Sequence, residues 1–250
     1  MKPVLTLITA LAPRNSSAAS ENAADIRISA AGAEIVARKN GIYDLVTQTG
    51  KKSITVSAVP EPMPIPGPWA VTFPPNFGAL PEATFANLVS WPDRPEEGIK
   101  YFSGTATYTK EIDLPAAMTA KGIEVSLDFG AVEVIAEVEV NGKSAGILWK
   151  PPFRTDITEL VKPGKNLLRI RATNLWINRL SGDEFKPPYL KWKNNAPGQW
   201  PNWDMDGGPV PDTGRVTFTT WRHWTKDDKP VPSGLIGPVR IIAAEVRDVK

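Results

Sequence analysis

The acidic residues that could work in pairs are Glu96-Glu97, Asp183-Glu184, Asp204 with Asp206, and Asp227-Asp228. Two carboxyl groups facing one another can cleave a glycosidic bond. Their separation is about 5–5.5 Å for retention of configuration and about 6.5–9.5 Å for inversion. Adjacent residues on a strand point to opposite faces, so neighbouring acids make poor partners unless a turn intervenes. All four sets sit in surface-like contexts and read first as solvated turn and loop residues. Asp204 and Asp206 carry more weight because Trp200 and Trp203 precede them.

Other chemistries are excluded or narrowed by residue type. The chain has no Cys, which rules out disulfides, thiolate metal sites and Cys nucleophiles. It has one His, His223, so a multi-His metal site is ruled out, as is a Ser-His-Asp triad built elsewhere. A lone His is more often a satisfied structural group than a ligand. Asp204, Asp206 and backbone oxygens could hold a structural calcium. However, Asp-Met-Asp-Gly-Gly lacks the spaced ligands and closing Glu of an EF-hand, so no cofactor is expected. The 29 basic and 27 acidic residues are interspersed and nearly cancel. Neither nucleic acid nor a membrane surface is therefore an expected partner.

Nine Trp residues are the more telling feature. Sugars bind to flat aromatic faces, with planar polar side chains taking the hydroxyls. Trp192, Trp200 and Trp203 lie in a stretch from Ser181 to Arg215 that has almost no periodicity. Long irregular stretches within a domain are usually functional or disordered, and three Trp argue against disorder. The candidate carbohydrate-binding residues are therefore Trp192, Trp200, Asn202, Trp203, Asp204 and Trp224. The structural alternative is a small core that pins the loop, or a surface that meets a catalytic domain. Trp69 reads as core, Trp149 as structural, and Trp176 as core or rim. If Trp221 to Trp224 form a strand, Trp221 and His223 share a face with Trp224 opposite.

The elements that must carry these residues are strands. Val134, Ala136, Val138 and Val140 alternate with outward residues, and Asn141-Gly142 then supplies a hairpin turn that needs positive φ twice. Pro163-Gly164 precedes a second alternating run, Leu168, Ile170, Ala172. Ile123, Val125, Leu127 and Phe129 alternate as well. Further strands are expected over Trp69–Phe73 and Phe102–Ile112, at Val216 with Phe218, and at Val239 with Ile241, with a surface excursion over 74–100. With 25 Pro and 19 Gly and no long 3.6-residue periodicity, the chain reads as an antiparallel all-β fold.

Before this domain, residues 25–58 read as a small β unit with a turn at Thr49-Gly50. Residues 59–67 form a connector in which Pro60, Pro62, Pro64 and Pro66 fix φ and remove donors, so it should be extended and unpaired. Residues 1–24 hold a short basic start, an apolar run and then small residues, consistent with a signal peptide or an arm. A secreted or periplasmic location follows from the first option. No later segment approaches the roughly 20 apolar residues of a membrane helix.

The run from Ala136 to Asn178 resembles the sugar-binding domain of glycoside hydrolase family 2, a galactose-binding-like jelly-roll β-sandwich. Tyr101–Tyr108 and Ser233–Val239 look like its first and last strands. Trp149-Lys150-Pro151-Pro152-Phe153, Asn174-Leu175-Trp176 and Trp221-Arg222-His223-Trp224 resemble further family motifs. The similarity is nearest to the C-terminal region of family 106 α-L-rhamnosidases, over roughly Gly67 to Val246. The resemblance implies a sandwich over 68–250 that lacks the upstream barrel carrying the catalytic carboxylates. It implies a non-catalytic accessory module that binds carbohydrate, plant polysaccharide included, or supports a glycoside hydrolase catalytic domain. The alternatives are a hydrolase using carboxylates of the 181–215 loop, and an interaction module without sugar affinity.

Overall fold

The computed structural model describes residues 23–29, 32–47 and 50–249. The apolar start of the chain and Thr49 lie outside these residues. The described part is an all-β structure with a few short helices, and every strand pair in it is antiparallel.

Two six-stranded sheets dominate. One runs Ala24–Ser29, Gly32–Ala37, Arg240–Asp248, Ile123–Asp128, Arg154–Asp156, with Met63–Pro64 also paired to Arg240–Asp248. The other runs Lys143–Leu148, Ile135–Val140, Gly164–Thr173, Thr105–Leu114, Trp69–Thr72, Glu82–Phe85. Alternation does what period-two patterning requires. Val125, Leu127 and Ile241 of the first sheet and Trp69, Tyr108, Val138 and Ile170 of the second belong to one buried core. Asn141 (φ 52°) and Gly142 (φ 79°) make the expected hairpin between Ile135–Val140 and Lys143–Leu148. The Asn141 side chain then locks the turn, donating to Leu160 O and accepting from Leu167 N.

Five expectations need correction. Residues 74–100 are not a surface excursion. They supply strand Glu82–Phe85 and two helical turns, Trp91–Asp93 and Glu97–Lys100, whose Phe85, Trp91 and Ile99 are fully buried. Trp91 Nε1 donates a 2.6 Å hydrogen bond to the buried Tyr108 hydroxyl. The strand expected from Phe102 begins at Thr105 instead, because Phe102 closes the helical turn before it through Phe102 N–H to Ile99 O.

The proline connector is extended but not unpaired. Alternating prolines remove donors from one edge of an extended chain and leave those of the intervening residues on the other. Met63 and Pro64 stand against Ile241 and Arg240, and Ile65 N–H bonds Val239 O. Val216 and Phe218 lie in no strand. A side chain replaces the ladder there, as the site shows. Trp149, expected to be structural, is 65% exposed just after the edge strand Lys143–Leu148. The Lys150 ammonium lies 5.2 Å from its ring centroid.

The strands of residues 24–56 have a small apolar cluster of their own, Ile35, Leu45, Ile54 and Val56 among it. Gly32–Ala37 is nevertheless hydrogen-bonded into the first large sheet. Buried Glu245 reinforces the link by accepting Ala58 N–H at 2.7 Å and Ser57 N–H at 3.2 Å.

Candidate functional site

The long irregular stretch leaves the second sheet after Thr173 and returns at strand Gly234–Gly237. Its two roots are stitched together by polar side chains. Asn174 and Asn178 each donate to the Ser233 hydroxyl at 3.0 Å, and Asn178 Oδ1 accepts Val231 N–H at 2.8 Å. These amides are buried, so each bond also satisfies a group that would otherwise be costly to bury.

Helix Ile177–Asp183 supplies the next anchor. Its buried Asp183 accepts Val216 N–H, Thr217 N–H and the Thr217 hydroxyl through Oδ2, at 3.0, 2.7 and 2.7 Å. This is why Val216 does not need a neighbouring strand. Arg179, one turn earlier, pairs with Asp183 at 2.9 Å. Glu184 follows and is engaged differently. Its Oε2 accepts Arg222 Nε at 2.8 Å, and its Oε1 lies 3.3 Å from Arg215 Nη2. Arg215 is further held by Pro187 O and Lys186 O. Asp183 and Glu184, two of the acids considered for catalysis, are thus bound up in holding the segment 215–222.

That segment forms one wall of a cleft of about 220 Å³ lined by Leu180, Glu184, Arg215, Thr217, Thr219 and the run Trp221 to Trp224. The run is not a strand, so Trp221 and His223 are not placed by alternation. The His223 ring instead lies between two indoles, with centroids 4.9 Å from Trp221 and 4.9 Å from Trp224. Trp221 is 64% exposed and Trp224 half-buried. The cleft therefore combines flat apolar faces, two threonine hydroxyls, guanidinium donors and one carboxylate.

The other expected binding residues lie outside the cleft. Trp203 sits in helix Asn202–Met205, half-buried against Tyr189 and Phe218 at 5.8 and 5.9 Å in edge-on geometry. It packs the loop. Asn202 and Asp204 are exposed beside it. Trp192 lies on the hairpin Lys191–Lys193 to Ala196–Gln199, whose Asn194-Asn195 turn has φ 51° and 61°. That turn touches the cleft wall, because Asn195 O accepts Arg222 N–H at 3.0 Å. Trp200, just beyond the hairpin, is 45% exposed. Of the expected residues, Trp224 alone lines the cleft. Arg215, Arg222, Thr217 and Thr219 were not singled out for binding from sequence, since nothing in their spacing marks them; the signature around Trp221 was the available signal.

Among the described residues no group of three or more His, Asp or Glu is placed to hold a metal ion. No helix there is long and apolar enough to cross a membrane. A second depression, about 320 Å³, lies over Glu137, Glu139, Arg169 and Arg171. These charges pair with each other across the outer face of the second sheet, and no aromatic ring lines the hollow, so it offers a sugar no platform.

No family model matches the chain. Over 187 residues, 75% of the chain, it is 44% identical to a protein of Formosa agariphila described as "Putative beta-glucuronidase". The chain spans 16% of that relative's length. In three dimensions 97% of the chain superposes on 25% of a rhamnosidase from Novosphingobium sp. PP1Y, with a TM-score of 0.60 and 23% identity. A β-D-glucuronidase of Dictyoglomus thermophilum matches over 76% of the chain and 29% of its own length, with 20% identity and a TM-score of 0.48. The chain is thus related to part of a glycoside hydrolase, and it shares its fold with part of the rhamnosidase.

Proposed function

We propose that this chain is a non-catalytic, carbohydrate-binding β-module of a glycoside hydrolase. The observation that carries the reading is the cleft in which His223 lies between Trp221 and Trp224, with hydroxyl and guanidinium groups on the same wall. Aromatic faces beside a few convergent polar groups are what sugar recognition uses. The sequence similarity to the Formosa agariphila protein supports placing the module in a glycoside hydrolase. In this reading the two large sheets form a galactose-binding-like jelly roll, α-L-rhamnosidase-like in type. The ligand is a saccharide such as a plant polysaccharide, the partner is a glycoside hydrolase catalytic domain, and the setting is extracellular or periplasmic.

The rival reading, hydrolysis by acids of the 181–215 loop, is less well supported. Asp183 and Glu184 are tied to Arg179, Arg215 and Arg222. Asp204 stands exposed within a one-turn helix and Asp206 caps its C-terminal end, neither of them lining the cleft. Assay of the purified chain against aryl α-L-rhamnosides and aryl β-D-glucuronides, with affinity electrophoresis through immobilised plant polysaccharide, tests the reading. Retardation without turnover is expected. Turnover that disappears in Asp204→Asn would replace it with the hydrolase reading.

A further inference from the structure

We infer that the Trp221–Trp224 cleft selects an acidic sugar, with the sugar's carboxylate taken by Arg222. The inference rests on the sugar-binding reading and specifies its ligand. Two guanidinium groups, Arg215 and Arg222, converge on a single carboxylate, Glu184, which leaves one positive charge in excess. The Glu184 and Arg215 side chains are 8% and 7% exposed, so this is a built arrangement rather than a surface coincidence. Arg215 is also spent on the Pro187 and Lys186 carbonyls. Arg222 is not. Its Nε and Nη2 reach Glu184 Oε2 at 2.8 and 2.7 Å, and no hydrogen bond among the described residues engages its Nη1. At 36% exposure it remains reachable from solvent while lining the cleft.

A guanidinium offers planar, paired donors that match a carboxylate, and the Nη1–Nη2 edge of Arg222 is the pair left over. Trp221 and Trp224 flank the same cleft, so a pyranose ring could stack while its acid group meets Arg222. Three other charged groups lie near the cleft. Arg179 and Asp183 neutralise each other. The Asp228 carboxylate, which interacts with His223, accepts the Thr225 N–H and hydroxyl at 2.7 and 2.9 Å, and these bonds hold it below the usual carboxylate range, so it opposes the excess charge and the selection rests on the open guanidinium edge of Arg222 rather than on net charge.

Calorimetric titration with sodium glucuronate, its methyl ester, glucose and sodium acetate tests this on the intact protein. Glucuronate is expected to bind about tenfold or more tightly than glucose or the ester, as a charged hydrogen bond implies. Acetate should bind more weakly than glucuronate. Arg222→Gln should reduce the preference for glucuronate over glucose and over the ester to near unity. Should that variant unfold, the ester against the acid on the unaltered protein still decides the matter. Equal affinity for acid, ester and glucose would overturn the inference and leave the sugar-binding reading standing. Acetate binding as tightly as glucuronate would overturn it in favour of a general anion site. Binding of none of the four would overturn both.

Discussion

Arg179 Nη2 lies 2.9 Å from Asp183 Oδ1 across one helical turn, with the two side chains 5% and 1% exposed. The contact is an ion pair without hydrogen-bond geometry at Oδ1, and the hydrogen bonds that Asp183 accepts, from Val216 and Thr217, fall on Oδ2. One buried carboxylate thus joins the helix that leaves the sheet to the segment that leads to Trp221. Glycine is required around it. A Cβ on Gly182 would stand 2.8 Å from Arg179 Nη2 and 2.5 Å from the Tyr101 side chain.

Asp183→Ala is therefore expected to destabilise the protein by about 3–5 kcal/mol, since it leaves a buried guanidinium and three donors without their acceptor. Urea denaturation measures this. A loss below about 1 kcal/mol would mean that the segment 215–222 is held by other contacts.

Gly142→Val is expected to cost roughly 1–3 kcal/mol through backbone strain alone. The position has φ 79°, and a Cβ there would meet nothing within 4 Å. Gly142→Asn should cost less, because Asn tolerates positive φ. Equal melting temperatures for Val and Asn variants would contradict the strain argument.

The hairpin was legible because the turn demands both of its residues, and the alternating runs were legible because each is covered on one face. Trp91 and Phe85 were hidden for a physical reason. They are buried by short elements in a proline-rich stretch, where no period has room to show. The same holds for the cleft. Trp224 was marked by its residue type, whereas Arg222 matters through its distance to Glu184, 38 positions earlier, which no local pattern encodes. Trp203 was marked by its place in a loop, whereas its edge-on contacts with Tyr189 and Phe218 join residues 14 and 15 positions away, which no local pattern encodes.

Burial pushes the Tyr108 hydroxyl up to about 12, partly offset by its bonds to Trp91 and Leu235. An unfolded tyrosine titrates near 10. Between about pH 10 and 12 the unfolded chain has released this proton while the folded chain keeps it, so stability falls as pH rises. The contribution is fully present below pH 10, and roughly 2–3 kcal/mol is lost across the window. Tyr108→Phe should start lower, by about 1–3 kcal/mol, because the Trp91 and Leu235 donors lose their acceptor. Its stability should then decline less steeply over the alkaline range. Parallel decline in both proteins would contradict the assignment.

If Trp203 packs the loop and does not bind, Trp203→Ala should lower the melting temperature and leave the loop prone to proteolysis, through loss of a half-buried aromatic contact worth about 1–2 kcal/mol. Trp200→Ala, at a half-exposed position, should leave the melting temperature nearly unchanged. The reverse order would return Trp203 to the list of binding residues.

The most direct measurement is a titration followed through the indole N–H resonances of the nine Trp residues, with glucuronate as the ligand. Saturable shifts at about millimolar concentration, near −4 kcal/mol, are expected at Trp221 and Trp224, while buried Trp69 and Trp91 stay fixed. Movement of Trp200 as well would extend the binding face onto the neighbouring hairpin. Indoles that do not move at any concentration, or shifts confined to Trp149 and Trp176, would contradict a sugar site in the Trp221–Trp224 cleft.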